Sequence, residues 1–341
     1  MQLLYHLYFN ITRENVGHFR FCVSCNLLID AIKSLSDKSN RKVTQVDINN
    51  QEARKQFYTY AAAFLAAFLW ASAFPATRYA LQYYSPVSLM VMRFVAASIT
   101  LGIIGLIKKI KLPDVRDLPL FAASGLSGVF LYSYLFNTGS VSISAGVSSF
   151  IIASSPVFTM VLARFFLKEV VRPMCWAGIM VSLIGLAVVT LTQTSEFSLN
   201  IGLLLVIGAA VSSGVYSAIM RAVTRRYTAL EATTYTIIAG TLGTLFFLPS
   251  AIKEIPDSNI TVNLIVILMG IFPAAVAYLA WSYALSKAKK TAHVIVFSYL
   301  IPLISALIAY IWLSETLSVF TLIGGLVIIG GMVLTNIFDR E

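Results

Sequence analysis

Charged residues are scarce in this chain of 341 residues, of which 12% are charged and 58% are hydrophobic. Soluble globular proteins carry about 25% charged residues. The remaining charges are grouped in short clusters, separated by apolar runs of about 18–24 residues, the length that spans a hydrocarbon core of ~30 Å. The shortage of charge excludes a soluble globular protein and predicts an all-α integral membrane protein.

Signatures of several other protein classes are missing as well. The three cysteines, Cys22, Cys25 and Cys175, form neither a disulfide framework nor a metal-binding pattern. There is no nucleotide-binding loop of the form G-x-x-x-x-G-K-S/T, and no obvious set of paired acidic residues for chemistry at the membrane face. The net charge of +10 is spread over alternate helix ends. We therefore expect no metal, no cofactor, no nucleic-acid partner and no enzymatic activity.

The apolar runs predict ten transmembrane helices. They cover residues 58–78, 87–107, 118–138, 146–167, 174–193, 201–221, 231–250, 261–283, 292–313 and 318–337. Residues 1–56 are a polar extension with no evident signal peptide. The simplest interpretation of this extension is a disordered cytoplasmic tail, and the alternative is a short amphipathic helix at residues 19–32 on the membrane surface.

Basic residues predict the orientation of the helices. With the N-terminus in the cytoplasm, the inside loops and ends hold 16 Lys and Arg residues, whereas the outside loops hold only Arg78 and Lys253. An excess of basic residues on the cytoplasmic side is the general rule for membrane proteins. An even number of spans with both termini in the cytoplasm satisfies every loop.

The second half of the chain repeats the first at an offset of 146 residues. The matched pairs are Pro156 and Pro302, Glu169 and Glu315, Gly178 and Gly324, Gly185 and Gly331, Trp70 and Tyr216, and Tyr132 and Tyr278. Each half, 57–193 and 200–338, holds five spans, so the second half must enter the membrane from the opposite side. Inverted repeats of this kind are typical of secondary transporters. The alternative is a duplication that is retained only for packing.

Several stretches resemble a known family. They are F-L-W-A-S-A-F-P-A-T-R-Y-A-L at 68–81, M-R-F at 92–94 and W-A-G-I-M-V-S-L-I-G at 176–185. In this order they resemble the EamA branch of the drug/metabolite transporter superfamily. The resemblance implies ten helices in two inverted five-helix repeats around a central cavity. It also implies export of small metabolites or amino acids across the bacterial inner membrane.

Arg93 is the one basic residue well inside a predicted span. A charge at the bilayer centre costs at least ~2.5–3.5 kcal/mol, so it needs a reason. One hypothesis is a fixed charge that attracts a substrate carboxylate, and the alternative is an arginine that reaches the outer headgroups. Arg78 lies closer to the surface and is predicted to be an interfacial anchor. Because no acidic residue lies at mid-membrane, we expect no carboxylate proton relay, and His293 is predicted to be interfacial.

Aromatic and small polar residues complete the predicted substrate pathway, because ligand sites combine apolar walls with a few polar groups. The candidates besides Arg93 are Trp70, Tyr132, Tyr134, Ser148, Ser155, Tyr216, Tyr278, Trp281 and Ser298. Pro75, Pro156 and Pro302 predict helix kinks. The alternative for each polar or aromatic candidate is helix packing or a position at the membrane interface. The glycines spaced by seven predict a smooth face, for packing within the monomer or for a homodimer.

These patterns favour a secondary transporter that exports amino acids or related metabolites by alternating access. Uptake of a nucleotide-like metabolite and multidrug export are the alternatives within transport. A membrane scaffold, or an enzyme of lipid or sugar chemistry, is the alternative from another class. The expected partners are a small-molecule substrate and the lipid bilayer.

Overall fold

The computed structural model describes residues 51, 53–166, 173–191, 200–287, 294 and 296–338. The chain divides into two units, Met1–Lys55 and Gln56–Glu341, and nearly all described residues belong to the second. Every regular element in the described ranges is a helix, which confirms the all-α prediction. The Cys22–Cys25 pair, His293 and most of the extension lie outside the described residues.

The described helices follow the predicted spans closely and are labelled α1 to α10 in chain order. They are α1 Ala53–Ala80, α2 Pro86–Lys108, α3 Val115–Ser140, α4 in the two pieces Ala145–Ala153 and Ser155–Phe166, α5 Pro173–Leu191, α6 Ile201–Val223, α7 Ala229–Glu254, α8 in the consecutive pieces Ile260–Ile271, Phe272–Val276 and Ala277–Lys287, α9 Leu300–Leu313 and α10 Val319–Phe338.

Six of these helices, α1, α2, α3, α6, α7 and α8, are long and apolar enough to cross a membrane. Shorter apolar helices lie within α4, α5 and α10 and at α9. The protein is therefore a multi-pass membrane protein. Ten crossings in two inverted halves remain a prediction.

Side-chain caps explain where several helices begin. The first N–H groups of a helix lack partners within the helix, and a side-chain oxygen just before it can accept from them. Ser85 caps α2 in this way, and Ser144 caps α4. Thr228 and Glu231 form a capping box at the start of α7. These polar groups hold the connections at the ends of the bundle.

A π-helical segment interrupts α3 and another interrupts α8. The first is Leu126–Leu131 and the second is Phe272–Val276. Pro273 lies inside the second segment, where its missing N–H disfavours a regular α-helical bond. Such segments are rare in proteins as a whole, and those that occur are often located at functional sites. Both halves of the chain therefore carry the same irregularity at matching positions.

Helices α5 and α10 pack closely against each other through glycine. A Cβ on Gly185 would lie 2.7 Å from the carbonyl oxygen of Gly324, and a Cβ on Gly331 would lie 2.6 Å from that of Gly178. Early residues of α5 face late residues of α10, so the two helices are antiparallel. These glycine faces are occupied within the chain, so a homodimer would need another surface.

Two pairs of matching helices, α5 with α10 and α2 with α7, show different sequence offsets between the residues that meet near their centres. Between α5 and α10, the Ser182 hydroxyl donates to the carbonyl oxygen of Ile328 at 3.1 Å, and these residues are 146 apart. Between α2 and α7, the Ser98 hydroxyl donates to Thr241 Oγ1 at 2.8 Å, and these residues are 143 apart. Gly105 of α2 faces Thr234 of α7, so this pair is antiparallel as well.

The single offset of 146 therefore does not hold for α2 and α7. The caps Ser85 and Thr228 are also 143 residues apart. The change of register coincides with a three-residue 3-10 turn, Leu245–Phe247, inside α7.

Prolines accompany irregular helix geometry at two of the three expected positions. Helix α4 is interrupted at Ser154, two residues before Pro156. A 3-10 turn, Val296–Tyr299, gives way to α9 shortly before Pro302. Helix α1 instead continues past Pro75 as far as Ala80, where Pro75 is buried by neighbouring helices.

Candidate functional site

Aromatic rings from α1 and α8 meet inside the bundle. The indole of Trp70 lies 5.3 Å from the ring of Tyr278 and 5.2 Å from that of Trp281, measured between centroids. Trp70 and Tyr278 are in edge contact, a favoured geometry for aromatic pairs. All three residues keep part of their surface accessible. They form an aromatic wall that is contributed by both halves of the chain.

Arg93 of α2 lies beside this wall. It interacts electrostatically with Tyr132 of α3 and Tyr278 of α8, and its guanidinium carbon lies 5.4 Å from the ring centroid of Phe94. Its Nε is buried and has no hydrogen-bond partner in the structure. A guanidinium offers five N–H donors and stays charged. A permanent cation with an unused donor therefore faces aromatic side chains deep within the bundle.

The π-helical segments are fixed by the helices that open the opposite halves. The indole N–H of Trp70 in α1 donates to the carbonyl oxygen of Pro273 in α8 at 3.1 Å. The hydroxyl of Ser212 in α6 donates to the backbone carbonyl oxygen of Ser127 in α3 at 2.8 Å. Each π segment is thus tied to the other half by one side-chain hydrogen bond.

Tyr216 of α6 joins the cluster from the other side. Its ring packs directly on the backbone of Gly128 in the α3 π segment, where any Cβ would overlap the ring. It also interacts electrostatically with Tyr278. The cation–aromatic cluster, as we call it, comprises Trp70, Arg93, Tyr132, Tyr216, Tyr278 and Trp281. A cation, phenol hydroxyls and indole rings together can bind a small molecule that has an anionic group and an apolar part.

Comparison with known families decides the identity of the chain. The model of the EamA-like transporter family matches residues 57–191 and again residues 200–337. The chain belongs to the EamA-like transporter family. The two matched domains agree with the two halves seen in the sequence, and the family is part of the drug/metabolite transporter superfamily.

Curated relatives extend over most of this EamA chain. It is 34% identical to a probable terminal-alkyne amino-acid exporter of Streptantibioticus cattleyicolor over 80% of this chain and 91% of that one. It is 31% identical to the uncharacterized transporter YdfC of Bacillus subtilis over 78% and 87%. A solved crystal structure with 19% identity covers 83% of this chain and 97% of its own, with a TM-score of 0.58, and supports the fold alone.

The other four predicted pathway residues of this EamA protein have the following surroundings. Tyr134 is 38% exposed and stacks on Phe130, because a step of two residues turns it away from Tyr132. The Ser155 hydroxyl donates to the Ile152 carbonyl oxygen at 2.6 Å, directly after the break of α4 at Ser154. Ser148 is fully buried and its hydroxyl is unpartnered. Ser298 is partly exposed within the 3-10 turn before α9.

Two residues at the helix ends make contacts within the protein. Arg78 contacts the carbonyl oxygens of Ser140 and Val141 and the carboxylate of Glu315. Asn137 is buried and its amide donates to the Pro86 carbonyl oxygen at 3.0 Å. The sequence reasoning missed Phe74 and Phe136, whose rings meet at 5.4 Å. Their four-residue spacing from Trp70 and Tyr132 was an available signal.

Proposed function

We propose that this EamA protein is a secondary transporter that exports amino acids or closely related metabolites by alternating access. The observation that carries the proposal is the buried, unpartnered Nε of Arg93 within the cation–aromatic cluster. A charge in that position needs a counterion, and a mobile substrate carboxylate supplies one.

The charge balance of the cluster favours an anionic or zwitterionic substrate. The acidic residues in the described ranges are Asp114, Asp117, Glu231, Glu254, Asp257 and Glu315, and all lie at helix ends or in connections. None of them is placed to neutralise Arg93. A carboxylate on Arg93 would leave the ammonium and the side chain of an amino acid against Trp70, Trp281 and Tyr278, whose faces attract cations and apolar groups. A purely cationic drug would meet an uncompensated positive charge.

The packing of the two domains supports an alternating mechanism. Matching helices, α2 with α7 and α5 with α10, are antiparallel, as expected for halves that enter the membrane from opposite sides. Inverted halves can exchange conformations and open a central site first to one side and then to the other. Ten crossings around that site follow from this proposal.

We place the protein in a bacterial inner membrane with both termini in the cytoplasm. The distribution of 16 basic residues against two supports this orientation. The relative from Streptantibioticus cattleyicolor is named as a probable exporter of an amino acid, which supports both the direction and the substrate class proposed for this chain.

Reconstitution into liposomes tests the proposal. Counterflow of labelled neutral amino acids, aliphatic and aromatic, is compared with that of the matching decarboxylated amines and of a cationic drug. We expect flux of amino acids and much less flux of the amines, because only the former carry a carboxylate. Flux of the amines or the drug without amino-acid flux would contradict the substrate class. A monodisperse protein with no flux of any compound would contradict transport.

A further inference from the structure

Three layers of contacts lead away from the cation–aromatic cluster along α1 and α3. On α1, Trp70, Phe74 and Arg78 recur every four residues, and on α3 Tyr132, Phe136 and Ser140 do the same. Residues at this spacing share a helix face and rise about 6 Å per step. Phe74 meets Phe136, and Arg78 meets the Ser140 carbonyl. The two helices therefore run in the same direction and present matched layers.

The middle layer is apolar and closed. Phe74 and Phe136 are 7% and 4% exposed, and their rings are in edge contact. Ala145 of α4, Ala209 of α6 and Ala309 of α9 complete the same cluster. Helices from both domains thus meet in one apolar plug, one turn beyond Trp70 and Tyr132.

The outermost layer is ionic. One guanidinium NH of Arg78 donates to the carbonyl oxygens of Ser140, at 2.9 Å, and Val141, and its Nε lies 3.4 Å from Glu315 Oε1. The other oxygen of Glu315 accepts from the Ala145 N–H at 2.8 Å, at the start of α4. Glu315 follows α9, so this pair ties the α9–α10 connection to α1, α3 and α4.

Unpaired polar groups flank the plug. The hydroxyls of Thr77 and Ser140 and the amide oxygen of Asn137 are buried and have no hydrogen-bond partner in the structure. Each unpaired buried group costs free energy, so such groups seldom cluster without a role. Their position between Trp70 and Arg78 fits the wall of a passage that becomes hydrated when the layers part.

We propose that the Arg78–Glu315 pair and the Phe74–Phe136 plug form the gate at the outer exit of the transport pathway. The proposal rests on the transport function proposed above, and the basic-residue distribution assigns this end to the outside. Opening separates Glu315 from Arg78 and moves the α9–α10 connection away from α1 and α3. Substrate then leaves the cluster past Thr77, Asn137 and Ser140.

Cysteine accessibility tests the gate without requiring any flux. In the full chain with Cys22, Cys25 and Cys175 replaced by alanine, Ser140→Cys reports opening through its rate of reaction with a membrane-impermeant thiol reagent. We expect Glu315→Gln to speed this reaction about tenfold, because it removes the charge and keeps the side-chain shape. Arg78→Gln breaks the same pair from the other side and is expected to act alike, so one misfolded variant does not end the test.

Glu254→Gln is the matched control. Glu254 accepts hydrogen bonds from the N–H and hydroxyl of Ser85 at the start of α2, both at 2.8 Å, and is not one of the three partners of Arg78. Its variant is expected to leave the labelling rate within twofold. Equal rates in the parent, Glu315→Gln and Arg78→Gln, or an equal increase in Glu254→Gln, would overturn the gate. Because the labelling rate is measured without any transport assay, the absence of flux in liposomes would not change the conclusion about the gate.

Discussion

The two EamA domains build the same scaffold but place different chemistry on it. Gly270 of α8 packs against the Arg93 carbonyl in α2, and Gly125 of α3 packs against the Thr236 carbonyl in α7. In the register set by Ser98 and Thr241, Arg93 of α2 matches Thr236 of α7, which also lies 143 residues later. Thr236 is satisfied by the Ser124 hydroxyl at 2.8 Å, whereas Arg93 Nε has no partner.

The difference between Arg93 and Thr236 shows that a carrier has two separate requirements, one for its backbone and one for its charged groups. Opposed halves need similar backbones, because each must adopt the shape of the other in turn. A substrate needs only one charged contact, and a second guanidinium in α7 would add repulsion and a second desolvation cost. Both halves therefore have a similar backbone scaffold, whereas only the first half contributes a charged residue to the cluster.

The largest expected effect comes from removing that charge. Arg93→Gln should lower amino-acid transport about 100-fold, since hydrogen bonds to a charged group contribute about 1.5–3 kcal/mol. Arg93→Lys should fall in between, because it keeps the charge and loses the planar fork. Initial rates of counterflow over a range of substrate concentrations measure both effects.

Thr236→Val supplies the control at the counterpart position. Its hydroxyl bonds only within the packing of α3, α6 and α7, so transport should change less than about threefold. If Thr236→Val and Arg93→Gln lowered transport equally in well-folded protein, Arg93 would be a packing residue and the asymmetry would carry no function.

The shared scaffold is tested next, at the α5–α10 contact. Gly331→Ala places a Cβ 2.6 Å from the Gly178 carbonyl oxygen and forces the helices apart. We expect a loss of about 2 kcal/mol, seen as a lower thermal midpoint in one detergent. Gly330→Ala is the matched control, because nothing lies within 4 Å of its added Cβ. Equal midpoints for the two variants would show that α5 and α10 do not pack as closely as described.

The helices and most of the cluster followed from the sequence, but the register of the halves did not. Apolar runs report burial in lipid directly, so the spans agree to within a few residues for most helices. The 3-10 turn Leu245–Phe247 leaves no such mark, since its three residues are as apolar as their neighbours. The spacing of Ser148 and Ser155 likewise does not show that α4 is interrupted at Ser154.

A smaller effect is expected from the bonds that hold the π segments. Trp70→Phe removes the N–H that reaches Pro273, and Ser212→Ala removes the hydroxyl that reaches Ser127. Each should cost about 0.5–1.5 kcal/mol of stability, the usual worth of one hydrogen bond. Transport should suffer more from Trp70→Phe, because the indole also lines the cluster. The thermal midpoints of both variants report the stabilising role that the two bonds share. The KM values report the contact with substrate that is expected of Trp70 alone.

The smallest effect is expected on the outer face of α3. Tyr134 stacks on Phe130 away from the cluster, so Tyr134→Phe should leave transport unchanged within about twofold, as for most exposed substitutions. Tyr132→Phe removes a hydroxyl next to Arg93 and should raise the KM for amino acids several-fold. The two variants each remove one phenol hydroxyl from the same helix, so they differ only in the face of α3 that is changed. A larger loss from Tyr134→Phe than from Tyr132→Phe would mean that α3 turns the opposite face to the substrate, and the cluster would then be helix packing alone.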